Sequence, residues 1–440
     1  MSKLLHLVSL GCTKNLVDSE VMLGKLAEYE ITDDATIADV IIVNTCGFIE
    51  AAKSESISTV LELHSKRKSN SILVMSGCLS QRYKDELQKQ MPEVDIFTGV
   101  GDYEQIDKLI ESKQSRFTPQ VYLATEKSPR VITGSNYHAY IKISEGCNQN
   151  CSFCAIPSFK GRLKSRSVES IVSEVRALVR RGYKDFSFIS QDSSSYGRDF
   201  GKSDGLIELI EAIESVDGVC SARILYLYPT TVSLRLIDKI YDSRVFQSYY
   251  DIPLQHIDDK MLKIMKRGFG ESKTRELLDY IASKGKDIFV RTSVIVGHPG
   301  EDEEAFWKLC NYIQEYGFDR VTVFAYSNEE DTTAFDMPQI DQEIIEKRVE
   351  IIGDIAKDIM YKSLDRDIGK DMVVAIDGVS SEHDYLLSSR PLLWASEIDG
   401  EVLVNDKNDI DIEVGVFYTA HITQRADSYL MATLKQRIEC

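Results

Sequence analysis

Cys147, Cys151 and Cys154 stand in the run Cys147-Asn-Gln-Asn-Cys151-Ser-Phe-Cys154, directly after an apolar stretch, Ala139–Ser144, that reads as a β-strand. Three thiolates on one short loop can each bind a different iron of a 4Fe–4S cluster, which leaves the fourth iron open to a further ligand. The competing reading is a zinc site, which asks for a fourth Cys or His close by. The loop supplies none.

Cys12, Cys46 and Cys78 are far apart in sequence, yet each follows an expected strand: Ser9-Leu10-Gly11-Cys12, Val43-Asn44-Thr45-Cys46 and Met75-Ser76-Gly77-Cys78. Parallel strands of one sheet would bring these carboxyl-end loops to one crevice. Gly11 and Gly77 allow the backbone to approach a bulky inorganic group. Three thiolates there again suit a cluster with an open iron, and three unrelated buried thiols is the plainer alternative. The other cysteines read as packing or tail thiols: Cys220 precedes a strand, Cys310 lies in an amphipathic helix and Cys440 ends the chain.

The elements that position these loops follow from hydrophobic periodicity. Over residues 1–135, short apolar strands (Leu4–Leu10, Val40–Asn44, Ile72–Ser76, Val94–Thr98) alternate with helical patterns (Leu16–Glu28, Phe48–Lys68, Ser80–Met91), which predicts an α/β domain with a parallel sheet. Over 136–365 six more strands alternate with helices: Ala139–Ser144, Asp185–Ser190, Ala222–Leu227, Tyr249–Leu254, Ile288–Val296 and Arg320–Tyr326. Six βα units suit a partial (β/α)6 barrel whose working residues sit at the carboxyl ends of the strands. Over 366–440 only short strands with polar turns follow, which predicts a small antiparallel β-barrel of the OB class.

Within the partial barrel, Gln191 and Asp192 end the second strand, where a ligand over the barrel would lie; polar strand ends also serve solubility. Arg291 lies in an apolar strand and needs an anionic partner, either a cofactor carboxylate or a structural ion pair. Gly297 and Gly300 permit a tight turn near a cofactor, or a turn with no ligand. Tyr228 and His256 also end strands and read as barrel-mouth packing.

Composition bounds the rest. With 440 residues and 43% apolar content the chain is globular and multidomain. The absence of a signal peptide or membrane-length apolar run predicts a cytoplasmic protein with no membrane association, where cysteines stay reduced. A formal net charge of −18 argues against broad phosphate-backbone binding and favours a basic partner.

The cysteine loop, with Phe153 before its last cysteine, resembles the radical S-adenosylmethionine superfamily, whose cofactor chelates the open iron and is cleaved to a deoxyadenosyl radical. Two triplets on successive domains, followed by a small barrel, resemble the methylthiotransferases, and the match covers essentially the whole chain. The wording of Ser9-Leu-Gly-Cys12-Thr-Lys14-Asn15-Leu-Val-Asp18-Ser19-Glu20, Asn44-Thr-Cys46-Gly47-Phe48-Ile49-Glu50, Ser76-Gly-Cys78-Leu-Ser-Gln-Arg82-Tyr83 and Arg291-Thr-Ser-Val-Ile-Val-Gly297 is similar to the branch that modifies an aspartate of a small-subunit ribosomal protein.

That resemblance implies two 4Fe–4S clusters and S-adenosyl-L-methionine. Cys147, Cys151 and Cys154 would serve the radical, Cys12, Cys46 and Cys78 the transferred sulfur, and Gln191, Asp192, Arg291 and Gly297 the cofactor. It further implies a TRAM module over 366–440 and a low-potential electron donor such as flavodoxin or ferredoxin. The alternative within the family is a transfer-RNA adenosine as substrate. From Asp367 to Cys440 there are 14 acidic and 6 basic residues, which would repel phosphates and suit a basic ribosomal protein, so stable nucleic-acid binding is not expected. Two positions depart from the family's usual wording: Lys160 where arginine is common, and Asp331 where glycine is common.

Overall fold

The computed structural model describes residues 3–285, 287–381 and 384–438. The first part of the chain forms β1 (Leu4–Ser9), α1 (Thr13–Lys25), β2 (Glu30–Ile31), β3 (Val40–Thr45), α2 (Glu50–Lys66), β4 (Ile72–Gly77), α3 (Cys78–Arg82), α4 (Lys84–Gln90), β5 (Ile96–Phe97) and α5 (Ile106–Ser112). The sheet is parallel with strand order β2-β1-β3-β4-β5. β3, Val-Ile-Ile-Val-Asn-Thr, is buried along its whole length because helices cover both faces of the sheet. The strand order reverses between β1 and β3, and ligands of such sheets bind in the crevice beyond the strand ends at that point. Cys12 and Cys46 flank it.

The second part contains β6 (His138–Lys142), β7 (Ser144–Glu145), α6 (Ile156–Lys160), β8 (Lys164–Ser165), α7 (Val168–Val179), β9 (Asp185–Ile189), α8 (Gly205–Glu214), β10 (Ser221–Ile224), α9 (Leu234–Tyr241), β11 (Tyr249–Asp251), α10 (Asp259–Ile264), α11 (Glu271–Ala282), β12 (Phe289–Val296), α12 (Glu303–Tyr316), β13 (Arg320–Ala325) and α13 (Gln342–Asp365). Parallel ladders join β6-β9-β10 and β11-β12-β13. The two triplets meet through backbone bonds, among them Leu227 N–H to Asp251 O at 2.8 Å, so six strands form one open arc. Several of these helices start at a side-chain cap: Ser167 accepts from Ser170 N–H ahead of α7, and Asp302 from Ala305 N–H ahead of α12. The buried positions Ile171, Val175 and Leu178 of α7 then repeat at helical spacing against the sheet.

The last part closes β14 (Asp371–Val379), β15 (Leu387–Pro391), β16 (Val402–Asp406), β17 (Phe417–Ala426) and β18 (Tyr429–Ile438) into a barrel of order β14-β15-β16-β18-β17. One ladder, β16 with β18, is parallel, whereas the sequence predicts antiparallel pairing throughout. The long return from β16 across to β17 is what makes this possible, since β18 then leaves its hairpin with β17 running alongside β16. Trp394 is buried between this barrel and the central part, with its ring 6.0 Å from Phe289. Arg390 and Arg223 both bind Asp185, a buried ion triad that fastens the barrel to β9 and β10. Among the described residues no helix is long and apolar enough to cross a membrane.

Candidate functional site

Cys12 precedes α1, Cys46 follows β3 and Cys78 opens α3 after β4, so the three thiols come from the carboxyl ends of adjacent strands, as the sequence predicts. Asn15 ties these loops together. Its Nδ2 donates to Leu10 O and Thr45 O, each at 3.1 Å, and its Oδ1 lies 3.5 Å from Cys78 Sγ. Gly11 has φ +87, and a Cβ there would come within 2.8 Å of Cys46 Sγ. At Gly77, φ +96, a Cβ would strike Thr45 O at 2.5 Å. Burial pushes the Cys46 thiol up to about 11 and the Cys78 thiol up to about 12. Desolvated sulfurs of this kind become thiolates only when a metal binds them directly. The donor set fits a cluster that takes one thiolate per iron.

The second triplet lies in the loop between β7 and α6. Cys147 N–H donates to Gly161 O at 3.1 Å and Cys154 N–H to Cys151 O at 3.2 Å. Ser152 is clamped on three sides: its N–H bonds Met265 O at 3.1 Å, its O accepts from Ala334 N–H at 2.8 Å, and its Oγ meets His298 Nε2 at 2.9 Å. The His298 ring also stands edge-on to Phe153. Arg267 donates to Cys151 Sγ at 3.2 Å and stacks 4.2 Å from the Tyr228 ring, whose hydroxyl lies 3.6 Å from the same sulfur. Burial pushes the Cys147 and Cys154 thiols up to about 12. Among the described residues no three His, Cys, Asp or Glu side chains converge on a single metal ion. A 4Fe–4S cluster makes no such demand, because each thiolate binds its own iron.

A buried charge cluster connects the two triplets. Lys142 binds Asp18 of α1 at 2.5 Å and Glu145 at 2.8 Å, while Lys160 reaches Asp18 at 3.5 Å and Glu145 at 3.4 Å. All four are 4% exposed or less. Burial opposes both carboxylates. For Glu145, Lys142 and Lys160 overcome it and bring the group to about 2; for Asp18 burial wins and the group lies above its ordinary range. Lys160 ends α6, and α6 packs against α3, which begins at Cys78. A lysine in this place centres one point charge between two carboxylates without reaching either closely, and Asp18 Oδ2 has no hydrogen-bond partner among the described residues. Asp331, the other departure, has φ +63, the left-handed region that glycine occupies without strain.

Of the residues expected around a cofactor, two lie beside the cysteine loop. Asp192 accepts from Gln149 Nε2 at 2.9 Å and from Ser194 and Ser195. Gln191 donates to Glu145, and its buried Oε1 is without a partner. Arg291 donates to Thr322 Oγ1 at 3.0 Å, lies 3.8 Å from Asp399 of the C-terminal barrel and stands in the field of Asp251. Gly297, φ +82, faces Ile345 of α13, where a Cβ would stand 2.5 Å from that side chain, and its N–H bonds Glu301. His256 is buried and accepts from the N–H groups of Ile257 and Asp258 at 3.0 Å, in keeping with a packing role. Cys310 is buried in α12; Cys220 packs partly beneath the C-terminal barrel and, against the expectation of a free packing thiol, is disulfide-bonded; Cys440 lies outside the described residues.

Residues 4–99 match the uncharacterized protein family UPF0004, 141–313 the radical SAM superfamily and 368–434 the TRAM domain. The chain is 66% identical over 432 residues to the ribosomal protein uS12 methylthiotransferase RimO of Sulfurovum sp., with 98% of each chain covered. It is 57% identical to that of Aliarcobacter butzleri, with 98% of each covered, and 54% identical to that of Campylobacter jejuni, with 100% of each covered. Among solved structures, the radical S-adenosylmethionine methyltransferase TsrM from Kitasatospora setae, with tryptophan substrate and a cofactor analogue bound, superposes with a TM-score of 0.56 at 14% identity, covering 76% of this chain and 75% of that one. That likeness concerns the fold.

Proposed function

The chain belongs to the ribosomal protein uS12 methylthiotransferase (RimO) family of radical S-adenosylmethionine enzymes, and on that premise we propose that it places a methylthio group on the β-carbon of an aspartate of uS12 in the small ribosomal subunit. S-adenosylmethionine and a 4Fe–4S cluster come with that membership. Cys147, Cys151 and Cys154 are the residues to hold the cluster, and Cys12, Cys46 and Cys78 would hold a second one that carries the sulfur. The observation that carries the reading is the pair of cysteine triplets on abutting parts of one chain, joined by the buried Asp18–Lys142–Glu145–Lys160 cluster.

The sp³ carbon beside a carboxylate is too weak an acid for a general base at neutral pH. When bound, the barrel cluster with its cofactor supplies a carbon radical able to take hydrogen from such a carbon. The chain's own residues orient and insulate that chemistry. His298, Met265 and Ala334 fix the cysteine loop through Ser152. Arg267 aims a donor at Cys151 Sγ, which tunes a thiolate ligand as outer hydrogen bonds do, and the Tyr228 hydroxyl, which donates to Arg267 O, lies beside the same sulfur. The buried lysines fix the separation of the two triplets. Exposed Asp406, Asp409 and Asp411 of the TRAM barrel meet the basic substrate protein, and a flavodoxin or ferredoxin supplies the electron.

The test uses anaerobically reconstituted enzyme, a low-potential reductant, S-adenosylmethionine and purified uS12. Wild type forms methylthiolated uS12. The Cys12→Ala, Cys46→Ala, Cys78→Ala variant forms none yet still cleaves the cofactor reductively. Loss of cleavage in a folded triple variant contradicts the division of labour between the triplets.

A further inference from the structure

Among the described residues Lys14, near the seam between the two cysteine triplets, forms no ion pair with a carboxylate. It is the second residue of α1, two positions after Cys12, the solvent-exposed thiol of its triplet. Its ammonium lies 3.4 Å from the centroid of the Tyr226 ring, beyond the carboxyl end of β10, where ligands of such barrels sit. Among the described residues no carboxylate lies within ion-pair distance of it: it meets Tyr226, by the ring face and a side-chain hydrogen bond, and feels Asp251 only through space. The neighbouring Thr13 hydroxyl is buried and has no hydrogen-bond partner among the described residues.

Tyr226 is held in place for this contact. Its φ is +64, a conformation that strains an aromatic residue. Two bonds keep it there: its N–H donates to Asp251 Oδ2 at 2.9 Å, and its O accepts from Ser193 N–H at 2.9 Å. Strain of this kind persists only where the surroundings over-determine it, and it collects at ligand clamps and active sites. Asp251, the carboxylate whose field reaches Lys14, is engaged more strongly by Arg291 and by the Tyr226 N–H than by Lys14.

We propose that Lys14 receives the side-chain carboxylate of the substrate aspartate and so presents the adjacent carbon between Cys12 and the barrel mouth. The proposal rests on the aspartate substrate argued above. An ammonium in a half-buried site forms a strong charge-assisted bond to a carboxylate. A site built this way rejects asparagine, because the neutral amide leaves the cation unpaired.

The experiment measures dissociation constants of the reconstituted holoenzyme for uS12 carrying the target aspartate and for the same protein with asparagine there. Wild type is expected to favour aspartate by about tenfold or more, the size of one bond to a charged group. Lys14→Met abolishes the preference and Lys14→Arg retains it; Lys14→Gln is the second variant should Lys14→Met fail to fold. An undiminished preference in Lys14→Met or Lys14→Gln overturns the proposal, as does a cation that merely offsets the Cys12 sulfur, which would change iron content and leave discrimination intact. A raised KM for S-adenosylmethionine in substrate-free cleavage also overturns it, since the carboxylate held would then be the cofactor's. Wild-type enzyme that leaves uS12 unmodified overturns the proposed function itself, whereas an active wild type with an unselective role for Lys14 overturns only this inference.

Discussion

The thiols are spelled out in the sequence, but the groups that act on them are not. Cys147, Cys151 and Cys154 announce themselves by spacing within one loop, and Cys12, Cys46 and Cys78 by following three strands that prove to be neighbours. Arg267 and Tyr228 reach Cys151 from 116 and 77 residues away, and His298 reaches Ser152 from 146 away. No local pattern reports such contacts. For Arg267 the obstacle is specific: a helical pattern runs on to it, yet α10 stops at Ile264 and Lys266 takes φ +56, which turns the chain so that Arg267 reaches back to Cys151. Arg291 has a partner just as remote, since Asp399 of the TRAM barrel is 108 positions further on in a part of the chain that no strand-end argument connects to it. The residue-scale prediction follows from the triplets. Anaerobically prepared protein should carry about eight irons, as two 4Fe–4S clusters require, and Cys147→Ala, Cys151→Ala, Cys154→Ala should lose about half by colorimetric iron assay. Full iron in that variant means that the loop holds none.

Elements were legible wherever period and caps agreed. α7 and α12 combine an apolar stripe at helical spacing with a Ser or Asp cap, and the sheets of the first two parts follow from apolar runs between them. The parallel β16–β18 ladder had no such signal, because strand direction in a small barrel depends on which edges remain to be closed. Nor did the sequence indicate how the TRAM barrel seats on the strands. Arg390 joins Arg223 on Asp185, with His138 of β6 alongside, its Nε2 2.9 Å from Ser187 Oγ. Burial lowers His138 to about 3. The unfolded chain binds a proton on this imidazole near pH 6.5 while the folded protein refuses it until about pH 3, so this contribution to stability is present above pH 6.5 and is lost as pH falls toward 3. Glu145, lowered to about 2, adds a loss of the same sign below its unfolded value near 4.3. Thermal denaturation from pH 7 to 4 should show a falling Tm, with a shallower slope in His138→Gln. Parallel slopes in the two proteins exclude His138 as a source of acid lability.

At the scale of the whole molecule, charge is divided by location rather than merely summed. The acidic excess of the C-terminal module includes Asp399, yet that carboxylate is buried and accepts from Tyr249 and from Ala395 N–H, so it belongs to the domain seam and not to a docking face. Glu413 is paired with Arg437. Asp406, Asp409 and Asp411 remain exposed at the end of β16 and in the loop that follows it. Changing these three to Lys should slow association with basic uS12 in stopped-flow measurements, and the difference should fade as salt shortens the screening length to about 8 Å and below. Equal rates across the salt range would reduce this face to a solubilising surface. The central claim concerns the product, and intact-protein mass spectrometry of small-subunit ribosomal proteins, from cells with and without this chain, tests it most directly. The account predicts that uS12 carries one methylthio group in place of hydrogen on an aspartate when the chain is present, and none when it is deleted. A uS12 of unchanged mass, accompanied by loss of methylthiolated adenosine from transfer RNA, would contradict it.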